Sequence, residues 1–428
     1  MTPYLTARAL HPPLIHERPS PLLGIVVVIP CYDEEYLLLS LMSLKKCHRP
    51  ACDVEVIVVI NQTETTPEAV KQTNARTYRQ AIKWAGQNRP PHLRFRILFM
   101  DDMPKKHAGV GLARKVGMDE ACYRFHKAGN PRGIIACFDA DSRCEVNYFQ
   151  ALENYFIKKP KAVACGIHFE HPLSGVDFGE KIYEAITFYE LHLRYYVQAQ
   201  RWAGFPHAWQ TIGSSMAVRC DAYQKQGGMN RRQAGEDFYF LHKFIPLGHF
   251  GEITETTVIP SPRPSDRVPF GTGKAVADML RTKNNCTTYN PKSFQDIAVL
   301  FKKEWPGLYN LKNIADIYGR LPRGVSLFLK ENNFIEKIKE IKAHTSSKSS
   351  FEKRLWRWFD AFLMMKYVHF SREHFYADIE VTEAAKWLLG NILPDENHSE
   401  KNAKELLLLF RESSGKGGFP NFRNEAVR

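Results

Sequence analysis

No apolar run in this chain approaches the ~18–20 residues that a membrane-spanning helix needs. The strongest candidate, Leu22 to Ile29, has the length of a strand. The N-terminus carries prolines and no continuous apolar core, so no secretory signal is expected and the cytoplasm is the expected compartment. The nine cysteines contain no Cys-x-x-Cys and no paired His spacing, which argues against structural zinc. An odd number in so long a chain also argues against a disulfide framework. Nor is there a Lys/Arg block interleaved with aromatics, so nucleic acid is not an expected partner. No internal repeat is present.

What is there is a globular composition, 44% apolar and 25% charged, over 428 residues, enough for two or three domains. The net charge is +13, and its distribution is uneven. Residues 295–428 carry 22 Lys+Arg against 18 Asp+Glu, a surplus of only 4, so a surplus of 9 lies in the first 294 residues. An anionic substrate such as a diphosphate fits that bias.

Residues 1–23 read as a loose, Pro- and His-bearing arm. From Gly24 short β-branched strands alternate with helices: strand Ile25 to Ile29, helix Glu34 to Cys47, strand Val54 to Ile60, helix Pro67 to Gly86, strand Phe95 to Phe99, helix Ala113 to Lys127, strand Ile134 to Phe138. Such alternation means a mainly parallel sheet covered on both faces. Beyond it come a strand at Ala162 to Phe169, an aromatic helix at Gly179 to Gln200, a loop entering a strand over 210–219, a helix from Asp237 and a strand at Thr256 to Ile259. From about residue 291 the chain turns helical, with segments at Phe294 to Lys303, Asn333 to Ala343, Phe351 to Tyr367, Thr382 to Leu389 and Ala403 to Arg411, and residues 413–428 read as a frayed tail. The expected division is thus an arm (1–23), an α/β domain (24–290), a helical region (291–412) and a tail.

Asp139-Ala140-Asp141 closes the strand Ile134 to Phe138. Carboxylates at i and i+2 of a strand face one side and can meet one hard cation. The C-terminal edge of a parallel sheet is where α/β folds bind ligands. Alone the pair reads equally as a strand end and a solvated turn, but it has company. Pro30-Cys31-Tyr32-Asp33-Glu34-Glu35 follows the first strand, Ala113-Arg114-Lys115-Val116-Gly117 precedes the Asp pair, and Gly235-Glu236-Asp237 lies about 100 residues beyond it. In this order and spacing, over residues 24–260, the chain resembles family 2 glycosyltransferases of the GT-A fold.

The resemblance implies a fold and a chemistry. The fold is α/β, GT-A, with a C-terminal helical region added. The activity is metal-dependent transfer of a sugar from a nucleotide-diphosphate sugar to an acceptor hydroxyl, inverting, with Mg²⁺ or Mn²⁺ as cofactor. Pro30, Tyr32 and Glu34 would line the nucleoside pocket, Asn61 would meet base or ribose, and Arg114 would contact the nucleotide. Asp141 would ligate the metal and Asp139 the ribose or a metal-bound water. Asp237 would be the general base, with Glu236 supporting it or touching the acceptor. As bare sequence, Gly-Glu-Asp is also an ordinary helix start with an acidic first turn.

Two departures stand out. Asn61 lies where the family usually keeps an Asp, and no His follows the base at the distance that often supplies a further metal ligand; His249 is the nearest alternative. The segment from Arg263 to Lys274, with Arg267 and several Pro and Gly, reads either as a loop over the donor diphosphate or as a plain connector. Lys105 to Gly111 offers a Gly-bearing phosphate approach. Arg231 and Arg232 could receive a phosphate or carboxylate of an anionic or lipid-linked acceptor, or be a solvated pair. Aromatics from Tyr183 to Trp202 and from Trp356 to Met365 read mainly as core, with a sugar or lipid site and a peripheral membrane face as the sharper alternatives. Two other functions fit the same class of fold: a sugar-phosphate nucleotidyltransferase, which wants a Gly-rich signature after the first strand, and a non-catalytic binding or scaffold protein.

Overall fold

The computed structural model describes residues 1–106, 108–282 and 286–415. His107 of the Lys105 to Gly111 loop and residues 416–428 of the expected tail lie outside the described residues. The chain divides into two compact units, residues 1–175 with 211–274, and residues 176–210 with 275–428.

The first unit is α/β. Its strands are β1 (Leu23–Cys31), β2 (Asp53–Asn61), β3 (Leu93–Met100), β4 (Ile134–Cys137), β5 (Arg143–Cys144), β6 (Ala164–Phe169), β7 (Met216–Arg219) and β8 (Gly251–Ile259). They form one sheet in the order β3-β2-β1-β4-β7-β6-β8-β5. β1, β2, β3 and β4 run parallel; β7 is antiparallel to both β4 and β6, and β5 is antiparallel to β8. Ile25 to Ile29 are wholly buried, as a central parallel strand with both faces covered must be. This is the mainly parallel arrangement expected of a GT-A fold, and it delivers the ends of β1, β2 and β4 to one edge.

α1 (Pro3–Ala7) precedes the first strand, and between the strands lie α2 (Leu37–Lys45), α3 (Glu68–Gln87), α4 (Val110–Ala128) and α5 (Tyr148–Lys158). α6 (Glu180–Ala203) belongs to the second unit; α7 (Cys220–Lys225) and α8 (Glu236–Leu241) return to the first. α4 is buried from Gly111 to Phe125 and carries Arg114, Lys115, Asp119, Glu120 and Arg124 inside. Burying charge is expensive unless each group is paired, and that corrects the loose-arm expectation for residues 1–23. Lys115 Nζ donates to Tyr4 Oη at 2.7 Å, and Tyr4 Oη donates to Asp119 at 2.7 Å. The N–H groups of Leu14 and Ile15 donate to Glu120 at 2.7 and 3.2 Å, while Arg124 pairs with Glu55 and with the carbonyl of Glu17. Tyr4 and Leu5 are accordingly buried.

The second unit is helical. Glu190, wholly buried on α6, accepts from Arg194 at 2.8 Å and from Arg411 at 2.7 Å. The helix expected over Phe351 to Tyr367 is two helices, Lys348–Trp358 and Ala361–His374. The second is capped by Asp360, whose carboxylate accepts from the N–H of Leu363 at 2.9 Å. Pro291–Ala298 continues as a π-helical turn to Glu304, and a helix at Arg323–Glu331 adds to those expected. Phe205, Phe301, Trp305, Trp356 and Phe359 pack ring against ring, so the tryptophan-rich segment faces the core of its unit. Among the described residues no helix is long and apolar enough to cross a membrane.

Candidate functional site

The site is assembled at the C-terminal edge of the sheet. In register, Pro30 pairs with Val59, Val28 with Cys137, and Asn61 with Met100, so Tyr32 to Glu34, Asn61 and Asp139 to Asp141 all emerge on one side. Pro30 and Asn61 are buried at their strand ends. The turn after β1 is pinned from α3: Asn74 Oδ1 accepts from the N–H of Asp33 at 2.9 Å, and Thr77 Oγ1 donates to the carbonyl of Glu34 at 2.8 Å.

Arg114 is 2% exposed and does not lie open to a groove. Its guanidinium donates to Asp139 at 2.5 Å and also to Glu236, so one buried cation ties the Asp-x-Asp strand end to the acidic pair of α8. Burial alone would lower its pKa, but Asp139 and Glu236 hold it raised. Gly213 makes room for it. A Cβ there would lie 2.5 Å from Arg114 Nη2.

Across the edge, Glu34 is 1% exposed, and its carboxylate accepts from the N–H of Tyr36 at 2.9 Å. It also meets two arginines of the segment beyond β8. Arg263 pairs with it directly and lies 3.5 Å from Asp141 Oδ2; Arg267 lies 3.5 Å from Glu34 and 3.9 Å from Asp141. Arg267 also donates to the carbonyl of Tyr32 at 2.8 Å. The segment therefore turns its two arginines to the strand ends.

α8 is entered from Gly235, whose φ of 68° is in the left-handed region that favours glycine. Phe270 packs against that glycine. Glu236 is buried and Asp237 half-buried. Burial pushes the carboxyls of Glu236 and Asp237 above their usual range, with Arg114 pulling the other way. Burial, then Asp139 and Glu34, push Asp141 up to about 6 in spite of Arg267 and Arg263.

That charge balance bears on a metal. Glu34, Asp139, Asp141, Glu236 and Asp237 face Arg114, Arg263 and Arg267, so the ionised cluster keeps two negative charges. The donors are all carboxylate oxygens and suit a hard divalent ion. Among the described residues no group of three His, Cys, Asp or Glu is arranged to hold one. Asp139 and Asp141 fit such an ion only with water or phosphate oxygens completing its shell. His249 does not join them: it precedes Gly251, which pairs with Cys165 at the start of β6, on the opposite edge of the sheet.

Sequence reasoning placed the acidic residues on one edge but missed the bridging role of Arg114 and the space left by Gly213. Neither has a local signal, since each is defined by a partner 25 to 122 positions away. Arg231 and Arg232 are exposed, and Lys105 and Lys106 are solvated.

No known family profile matches the chain, and no curated protein is recognisably similar to it. Among solved structures, residues 1–349 of S. aureus TarS with UDP-GlcNAc align over 70% of this chain and 82% of that one, at 13% identity and a TM-score of 0.38. The same protein with UDP gives 13% identity, 69% and 77% coverage and a TM-score of 0.36. The mannosyltransferase PcManGT from Pyrobaculum calidifontis, with GDP-Man and Mn²⁺, aligns over 96% and 92% at 12% identity and a TM-score of 0.33. The strand order and the acidic strand ends, rather than these likenesses, define the fold class.

Proposed function

We propose that this chain transfers a sugar from a nucleotide-diphosphate sugar to an acceptor hydroxyl, by an inverting single displacement. The observation that carries the proposal is the two-ended charge cluster at the C-terminal sheet edge. Asp139 and Asp141 stand with two arginines at one end, Glu236 and Asp237 stand at the other, and Arg114 joins them.

The two ends suit the two demands of the reaction. Arg263 and Arg267 would take the donor's diphosphate oxygens, because a guanidinium binds oxyanions through paired N–H groups. A divalent cation held by Asp141 and Asp139 would offset charge growing on the leaving diphosphate. Asp237 would accept the proton of the attacking hydroxyl; a carboxylate held above its usual pKa is a stronger base. Glu236, fixed by Arg114, would position Asp237 rather than react. Tyr32, Pro30 and Asn61 would border the nucleoside. Arg114 would act as a positioning residue, and Glu34 would anchor the arginines.

The test is a panel of sugar nucleotides with Mn²⁺ or Mg²⁺, read as binding and as slow release of nucleoside diphosphate. Binding to at least one of them is expected. No interaction with any would remove the proposal.

A further inference from the structure

Arg232 is exposed, yet its guanidinium lies 3.6 Å from the centroid of the Tyr239 ring. Stacking on an aromatic face restrains a guanidinium while leaving its N–H edge open to an oxyanion. The backbone beneath it is also set. The N–H of Arg232 donates to Asn230 Oδ1 at 3.2 Å, and Asn230 Nδ2 donates to the carbonyl of Glu236 at 2.9 Å. A side-chain amide thus couples the arginine to the helix that carries Glu236 and Asp237.

Glu236 and Asp237 on that helix lie near, and neither is ion-paired to Arg231 or Arg232. Among the described residues no carboxylate pairs with Arg231 or Arg232 within ion-pair distance. Arg8 lies beside Gly227, and Lys243 Nζ donates to the carbonyl of Gly228 at 2.7 Å, adding two further cations along the same loop. Asp221, on α7, is already matched by Lys225 at 3.3 Å. This cationic loop is held against the expected catalytic helix, whereas Arg263 and Arg267 are engaged with Glu34 and Asp141 at the ends of β1 and β4, so its charge is placed for the other substrate rather than for the donor's diphosphate.

We propose that Arg232, stacked on Tyr239, is an oxyanion subsite for the acceptor, which carries a phosphate or carboxylate close to the hydroxyl that is glycosylated. The proposal rests on the glycosyltransferase reading and names its acceptor class. Arg231, adjacent and unstacked, adds long-range attraction only.

The test uses the full chain saturated with UDP or GDP and Mn²⁺, so that donor-side cations are occupied. It is titrated with glucose, glucose 6-phosphate, glucuronate and inorganic phosphate. The phosphate-bearing probes should bind about ten-fold or more tightly than glucose, and the glucuronate arm shows whether a carboxylate serves as well. Arg232→Gln should erase that preference, and Tyr239→Leu should weaken it with the charge still present. Arg79→Gln, an exposed cation on α3, should leave it unchanged. Anionic probes binding no better than glucose, or a full preference surviving in Arg232→Gln, would overturn the subsite. Failure of the wild type to bind any nucleotide would count against the glycosyltransferase reading instead, and the same titration without nucleotide would still report on Arg232.

Discussion

Glu34 and Arg263 are paired at the sheet edge, the first 1% exposed at the end of β1 and the second on the segment beyond β8. The pair holds a cation beside Asp141 before any donor arrives, so a diphosphate must compete with Glu34 for it. Glu34→Gln should therefore raise the affinity for UDP or GDP in the absence of metal, by about 3–10-fold. Calorimetric titration reads the sign. A fall in affinity would mean that Glu34 touches the nucleotide itself.

Arg114→Ala leaves Glu236 buried without its cation. Breaking a buried pair costs about 3–5 kcal/mol, reduced here because Asp139 reaches solvent. The loss should be smaller at pH 5.5 than at pH 7.5, since Glu236 is already pushed up by burial and protonates more readily once the arginine is gone. Urea unfolding at the two pH values measures the difference. Gly213→Ala, which drives a methyl group into the guanidinium, should lower turnover with the fold retained.

Asp141 gives a pH-dependent stability. Its folded-state value of about 6 stands above the ordinary 3.8. The folded protein thus binds this proton more readily than the unfolded chain, and stability falls as pH rises from about 4 through 6. Asp141→Asn should raise the Tm at pH 7.5, by about 2–4 °C, and the gain should vanish near pH 4. Metal-supported nucleotide binding should be lost in the same variant. A variant no more stable at pH 7.5 would contradict the charge account.

Tyr4→Phe removes one hydroxyl shared by Lys115 and Asp119 inside the first unit. Unsatisfied buried partners cost about 1–3 kcal/mol. Chemical denaturation should show that loss with activity per folded molecule unchanged, because Lys115 and Asp119 take no part in the sheet-edge cluster.

Much of the α/β unit was legible because its strands are short runs of β-branched residues between periodic helices, as Ile25 to Ile29 and Val54 to Ile60 illustrate. The acidic residues were legible for the same reason: strand ends announce their position. Long-range pairing was not. The arm of residues 1–23 looks featureless until the buried charges of α4 supply the reason for Tyr4, Leu14 and Ile15 to dock. α5 was passed over because Tyr148, Phe149, Tyr155 and Phe156 suit a strand as well as a helix. The break at Phe359 was hidden because Asp360 caps a helix only through its own local bond to Leu363, while the apolar pattern runs on through both halves.

Asp237→Asn separates proton acceptance from donor binding. Donor affinity and the release of nucleoside diphosphate from a bound sugar nucleotide with Mn²⁺ would be measured on the variant and the wild type together. Donor affinity should stay within about two-fold while turnover falls by ~10²–10⁴, the usual consequence of removing a general base. Turnover equal to wild type, or donor affinity lost along with it, would contradict the assignment of Asp237 as the proton acceptor.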